Sequence, residues 1–246
     1  KKEIDENIQK VISEAAFIRG PEVIDFEKEL SDYLGIKNVI TCANGTDALQ
    51  VSLMSLGLKP GDEVISPDFT FGATVEVIAL LGLRPVLVDV DPDTFNIDID
   101  GIEKAITPGT RAIIPVNLFG QCANLGAVMD ISRRYGIPVI EDNAQALGAD
   151  YIENGKRIKA GTAGRIGCTS FFPSKNLGCY GDGGAVFTND DDLARDISAI
   201  TRHGTHVKYY QDIIGVNSRL DTIQAAILRV KLRQLDDFAA RRQAAA

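Results

Sequence analysis

Histidine is nearly missing from these 246 residues: His203 and His206 are the only two, spaced HxxH. A zinc site needs further ligands at compatible spacing, and none is evident, so the pair reads as surface or structural. Cysteine is scarce and scattered, and Cys42, Cys122, Cys168 and Cys179 form no CxxC motif. They are expected to be reduced thiols of a cytoplasmic protein, not a disulfide framework. Positive charge is short as well. With 34 acidic against 26 basic residues the net charge is -8, which argues against nucleic acid or an anionic membrane as a partner while leaving room for a local anion pocket. There is no uninterrupted apolar stretch of about 20 residues, the length a spanning helix needs. The charged opening "KKEIDENIQK" does not read as a signal peptide. No initiator methionine stands at the start, and "RRQAAA" ends the chain just after a helical pattern, so a missing C-terminal portion is expected.

Short β-branched runs alternate with longer helical ones. Strands are predicted from Asn38, Glu63, Pro85, Arg111, Pro138, Cys168 and Gly184. Several are apolar nearly throughout, as in strands covered on both faces. The helical patterns between them end at Gly57, Gly82 and Gly136, where a left-handed cap is useful. Helices are also predicted from Glu22, over "ARDISAITRHG", and as one long element over "SRLDTIQAAILRVKLRQLDDFAARR". The alternation argues for an α/β fold with a mostly parallel sheet.

In such a sheet, ligands sit beyond the carboxyl ends of the strands, and chemistry-bearing residues fall there repeatedly. "ANGTDAL" carries Gly45 and Thr46 into a helix whose N-terminus suits a phosphate, although an ordinary N-cap explains a Thr or Asp equally well. No GxGxxG follows the strand, so a dinucleotide fingerprint is excluded. In "SPDFTFGAT", Phe69 and Phe71 either fill core or stack on a flat ring. "PVIEDNAQALG" ends an apolar strand in Glu141-Asp142, with Gln145 three residues on. Asp142 either caps the next turn or faces a protonated ring nitrogen. In "TSFFPSKNLGCYGDGG", Ser170 precedes a sheltered lysine, Lys175, of the kind whose pKa falls and which condenses with a carbonyl. A phosphate cradle, a stacking aromatic, a strand-end acid and that lysine are the parts needed to hold pyridoxal 5'-phosphate.

At these residues the sequence resembles the DegT/StrS family of sugar aminotransferases, of the aspartate-aminotransferase fold (fold type I). "FIRGPEVIDFEKEL", "CANGTDAL", "GDEVISPDFTF", "EDNAQALGA", "FFPSKNLGCYGDGGAVFTND" and "GVNSRLDTIQAAIL" follow in the family's order. The resemblance implies that Lys175 forms a Schiff base with pyridoxal 5'-phosphate and later moves the proton, while Asp142 pairs with the ring nitrogen. It places Gln145 near the phenolic oxygen, Phe71 on the ring, and Gly45, Thr46 and Ser170 at the phosphate. It sends Asn217 to the phosphate of a neighbouring subunit in a homodimer, and Arg219 to a substrate carboxylate. Asn117 stands where many relatives have histidine, a difference expected to bear on substrate choice.

The same resemblance implies a large cofactor-binding domain over residues 1–217 with an N-terminal helical segment. Residues 218–246 then form a long helix leading to a small C-terminal domain that this chain does not contain. The implied reaction moves an amino group from L-glutamate to a nucleotide-linked ketosugar, best matched by a UDP-linked 3-keto-N-acetylhexuronic acid. A dTDP-3-keto- or a GDP- or UDP-4-keto-6-deoxysugar stays open, as does a non-catalytic regulatory protein that binds the cofactor.

Overall fold

Seven short segments, several of them apolar nearly throughout, line up as the central sheet of a computed structural model that describes residues 1–153, 155–207 and 209–245. In chain order the elements are α1 (Lys2–Glu14), α2 (Pro21–Leu34), β1 (Asn38–Cys42), α3 (Gly45–Ser55), β2 (Glu63–Pro67), α4 (Ala73–Leu80), β3 (Arg84–Val88), α5 (Ile99–Ala105), β4 (Thr110–Ile113), α6 (Leu125–Tyr135) and β5 (Ile140–Asp142). Then come β6 (Asp150–Glu153), β7 (Lys156–Lys159), β8 (Ile166–Ser170), β9 (Gly184–Thr188), α7 (Asp191–Ile200), β10 (Thr205–Val207), β11 (Tyr210–Gln211), α8 (Thr222–Leu232) and α9 (Leu235–Ala245).

The hydrogen-bonded ladders run β3-β2-β4 and β1-β9-β8-β5. Parallel bridges Ile113–Val139 and Val116–Asp142 join them into the order β3-β2-β4-β5-β8-β9-β1. Every pairing is parallel except those of β9, which runs against both β8 and β1. The mostly parallel sheet expected from the alternation is therefore present, and all seven predicted strands are in it. Gly57, Gly82 and Gly136 have φ of 65°, 70° and 68°, the left-handed values expected of helix-ending residues.

Helices cover both faces. α3 and α7 supply Leu49, Leu53, Leu193 and Ile197 to one cluster with Ile40, Ile140 and Val186 of the sheet. α2 and α8 cover the other face, where Phe26, Leu30, Ala225 and Leu228 pack with Val39, Ala185 and Phe187. Arg229 of α8 also forks onto Glu29 of α2, with Nε 3.0 Å from Oε1. So α8 belongs to the same core as the sheet, and residue 217 marks no break in packing.

The single long helix expected after residue 218 is two. A tight turn, in which Gln234 N donates to Lys231 O at 2.9 Å, separates α8 from α9. Leu232 and Leu235, on either side of it, are both buried in the α2–α8 cluster. The turn keeps Leu235 there while freeing α9 to run in its own direction.

The β10–β11 hairpin is tied to α7 by His206, whose Nδ1 lies 2.8 Å from Asp212 Oδ2 and whose Nε2 lies 3.0 Å from Asp196 Oδ1. A neutral imidazole has one donor, so two carboxylates are satisfied together only by the imidazolium. The hydrogen bonds to Asp212 and Asp196 accordingly hold the His206 pKa above its ordinary value. Because the folded pKa is the higher one, the tie is at full strength below the ordinary value of about 6.5 and is lost as pH rises through the folded value. With two histidines in the chain, an NMR titration of the ring signals should find one, assigned by His206→Gln, titrating high. A His206 titrating at or below about 6.5 contradicts the clamp.

Candidate active site

The antiparallel strand β9 brings the key strand ends together. Its first residue, Gly184, is the register partner of Cys42, the last residue of β1, and of Ser170, the last of β8. β5 lies beside β8 and ends at Asp142, opposite Cys168. A cavity of about 680 Å³ opens above these ends, with Gly45, Thr46, Phe71, Asp142, Gln145, Ser170 and Lys175 in its lining. Seven of the nine residues to which the family resemblance gives a cofactor or substrate contact thus share one site. Asn217 and Arg219 are not in its lining.

One wall is the start of α3. Asn44 is the cap, its side chain accepting from Asp47 N at 2.8 Å. Thr46 is therefore the second helical residue and not the cap. The first amides of a helix have no intrahelical acceptor, so those of Gly45 and Thr46 remain available. Opposite them, the Ser170 hydroxyl accepts from Phe172 N at 3.2 Å and keeps its own proton to donate. The two walls nearly touch: a Cβ built on Gly45 would lie 2.6 Å from Ser170 Cβ. Only glycine leaves that gap open.

The floor is Asp142, 5% exposed. Its Oδ1 accepts from Ala144 N at 3.1 Å and its Oδ2 from the Thr74 hydroxyl at 2.8 Å. It therefore holds the following turn with one oxygen, as the capping reading expected, while still lining the cavity. Burial pushes its pKa up, opposed by the Thr74 and Ala144 hydrogen bonds and by the charge of Lys175. Lys175 is displaced the opposite way: burial lowers the amine's pKa, and only Asp142 works against that. Each group's own burial outweighs its attraction to the other. The lysine loop is held from two sides. Arg242 of α9 donates to Ser174 O at 3.1 Å and Asn176 Nδ2 to Leu147 O at 3.0 Å.

Phe71 forms a side wall and is 69% exposed, whereas Phe69 packs its ring 5.7 Å from Phe95 and 6.5 Å from Phe119, outside the lining. Gln145 Oε1 accepts from Phe119 N at 2.9 Å, which leaves its amide NH₂ as the free donor. Glu141 points away from the cavity. It is fully buried and accepts from the amides of Gly161, Ala163 and Gly164 at 2.7–2.8 Å. Asn117, expected to bear on substrate choice, is also fully buried: its Nδ2 donates to Glu141 Oε2 and Asn143 Oδ1, and its Oδ1 accepts from Ala123 N. It braces the strand ends from below and does not line the cavity. Ser218, buried between Asn217 and Arg219, accepts from Ala43 N at 3.0 Å and anchors that motif beside the start of α3.

Sequence reasoning missed Thr70, Thr74 and Asp182. Thr70 and Asp182 line the cavity, and Thr74 sits behind Asp142. The Thr70–Thr74 spacing of one helical turn at the start of α4 was the available signal. Lys175 is the only cation among the described lining residues, against Asp47, Asp142 and Asp182.

The model of the DegT/DnrJ/EryC1/StrS aminotransferase family matches residues 1–246. This chain belongs to that family. Among its relatives, the UDP-2-acetamido-2-deoxy-3-oxo-D-glucuronate aminotransferase of Pseudomonas aeruginosa is 56% identical over 243 residues, covering 99% of this chain and 67% of that protein. The crystal structure of S. venezuelae DesV in complex with a ketimine intermediate superposes with a TM-score of 0.94 at 42% identity, over 99% of this chain and 64% of that one. The crystal structure of NtdA from Bacillus subtilis with bound cofactor PMP gives 0.88 at 39% identity, over 96% of this chain and 53% of that one. The chain spans about two thirds of the length of the first two and about half of the third. The DegT/DnrJ/EryC1/StrS membership confirms the family resemblance, and the likeness to DesV confirms the fold expected from it.

Proposed function

We propose that this chain is the cofactor-binding part of a cytoplasmic, pyridoxal 5'-phosphate-dependent aminotransferase. Its reaction moves the amino group of L-glutamate to a nucleotide-linked ketosugar, a UDP-linked 3-keto-N-acetylhexuronic acid. The observation that carries this is the meeting of Lys175, Asp142 and the open N-terminus of α3 in one cavity. The sugar follows from the 56% identity to the P. aeruginosa enzyme, which is named for a UDP-linked 3-oxo-glucuronate.

The residues present fit the cofactor. A phosphate needs donors, and the gap kept open by Gly45 offers the amides of Gly45 and Thr46 with the hydroxyls of Thr46 and Ser170. The cofactor supplies an aldehyde carbon for amine exchange and a protonated ring that accepts the electron pair left when the donor's Cα loses its proton. Lys175 Nζ would be the amine that holds that carbon at rest and, once displaced by the donor's amine, the base that carries the Cα proton. Its lowered pKa keeps a larger share of the amine neutral and able to do so. With the cofactor bound, Asp142 would accept a hydrogen bond from the ring N–H, Phe71 would pack against the ring, and the free Gln145 NH₂ would donate to the phenolic oxygen.

A lone cation in the lining cannot balance the cofactor's phosphate together with either the dicarboxylate donor or the nucleotide diphosphate that follows it. A second copy of the chain supplies the remainder in this reading, with Asn217 reaching the neighbour's phosphate. Arg219 meets the substrate carboxylate in the same reading.

Gly45→Ala should lower affinity for pyridoxal phosphate about tenfold or more, because the methyl group forces the cradle apart at a cost of roughly 1–3 kcal/mol. Equilibrium dialysis measures it, and unchanged affinity contradicts the cradle. The substrate is tested by half-reactions: the protein is loaded with L-glutamate, and return of the starting spectrum is followed as each nucleotide ketosugar is added. Response to the UDP-3-keto-hexuronic acid is expected. Response only to a 6-deoxysugar corrects the substrate, and response to none favours a non-catalytic binding protein.

A further inference from the structure

We propose that Thr74 is a positioning residue that holds Asp142 as an oriented carboxylate, and that Thr70 sets the direction of Thr74's proton. This rests on the reading of Asp142 as the partner of the ring nitrogen.

Thr74 is fully buried in the first turn of α4, and its Oγ1 lies 2.8 Å from Asp142 Oδ2. Its Oγ1 also lies 3.0 Å from Thr70 Oγ1, and Thr70 lines the cavity. A threonine hydroxyl has one proton. If Asp142 is ionised it can only accept, so Thr74 donates to it and accepts from Thr70. If Asp142 were protonated and donating, Thr74 would have to donate to Thr70, and the chain of hydroxyls would run backwards. The polarity of the Thr70–Thr74 pair is therefore locked to the charge of Asp142. The positive end of α4 adds to the preference for the charged form. The remaining hydrogen-bond partner of Asp142, Ala144 N at 3.1 Å, is a backbone amide and donates whichever side chain stands at position 74; the charge that faces Asp142 is that of Lys175, which the substitutions leave in place.

Removing the Thr74 donor costs the ionised form a charge-assisted hydrogen bond and leaves the neutral form little affected. The Asp142 proton then leaves at higher pH. Binding of pyridoxamine phosphate reads this directly, since that probe has no aldehyde and forms no bond to Lys175. In equilibrium dialysis across the pH range, Thr74→Val should move the acid-side fall of affinity upward by roughly 1–2 pH units. Thr74→Ser, which restores the hydroxyl, should return it to the wild-type position. Thr70→Val should move it in the same direction by less, and being on the cavity surface it keeps the idea testable if Thr74→Val fails to fold. An unmoved acid limb in both valine variants overturns the proposal. So does an equal loss at every pH, which is what a packing role would produce, or a failure of serine to rescue. Wild-type protein that binds no pyridoxamine phosphate at any pH sinks the cofactor reading and this inference with it.

Discussion

Lys175→Ala should abolish the absorbance near the visible edge that accompanies covalent attachment of pyridoxal phosphate, and should reduce transamination by at least roughly 10²- to 10⁴-fold. Two losses combine in that variant: the amine that anchors the aldehyde, and the base that carries the Cα proton. The cavity wall changes little, because the lysine loop is pinned by Arg242 and Asn176 and not by the Lys175 side chain. Affinity for the phosphate end should therefore survive, since Gly45, Thr46 and Ser170 are untouched. A spectrum and a turnover number, taken on protein saturated with cofactor, separate these effects. Turnover within a few fold of wild type refutes the assigned role.

Asp142→Asn is expected to have the second largest effect, with opposite signs on function and stability. The amide keeps the shape and removes the charge, so the ring nitrogen would lose the anion that keeps it protonated, with only a neutral acceptor in its place. The lost charge-assisted hydrogen bond should weaken cofactor binding about 10- to 100-fold, with a further loss in turnover. In the cofactor-free protein the reverse holds. Burial raises the Asp142 pKa in the folded state, so the native state binds more protons than the unfolded one between the ordinary carboxylate value and the raised one. Stability of the cofactor-free wild type should fall as pH rises through that window, and the Asn variant should lose that component of the slope. Urea melts at several pH values measure the difference. Equal slopes would show that Asp142 is not strained by burial.

Much of this site was legible in the sequence because its parts sit at strand ends. An apolar run closing on Glu141-Asp142 declares a strand whose polar residues must find partners. What it does not declare is which carboxylate turns to which face. That depends on the Gly161, Ala163 and Gly164 amides that gather around Glu141, some twenty residues away. Asn117 illustrates the same limit: by position it stands where many relatives have histidine, and only the fold shows that it braces Glu141 and Asn143.

The elements that escaped sequence analysis are those with little apolar signal. β6 and β7, "DYIE" and "KRIK", form a charged hairpin held in part by Arg157–Asp150 and Lys159–Asp150 pairs. α1 has only Ile4 and Val11 buried and docks on Ile227 and Val230 of α8, a partner more than two hundred residues on. The break between α8 and α9 was invisible for a related reason. Both flanking segments have good helix formers, and only the placement of Leu235 in the core stops a single rod.

The most direct measurement is chemical. The protein is saturated with pyridoxal phosphate, reduced with borohydride to trap whatever amine holds the aldehyde carbon, digested, and the labelled peptide identified by mass. One pyridoxyl group on the nitrogen of Lys175, and none in Lys175→Ala, is the predicted result. A label spread over surface lysines, or no label on the peptide that spans "FFPSKNLGCYGDGG", would contradict the account.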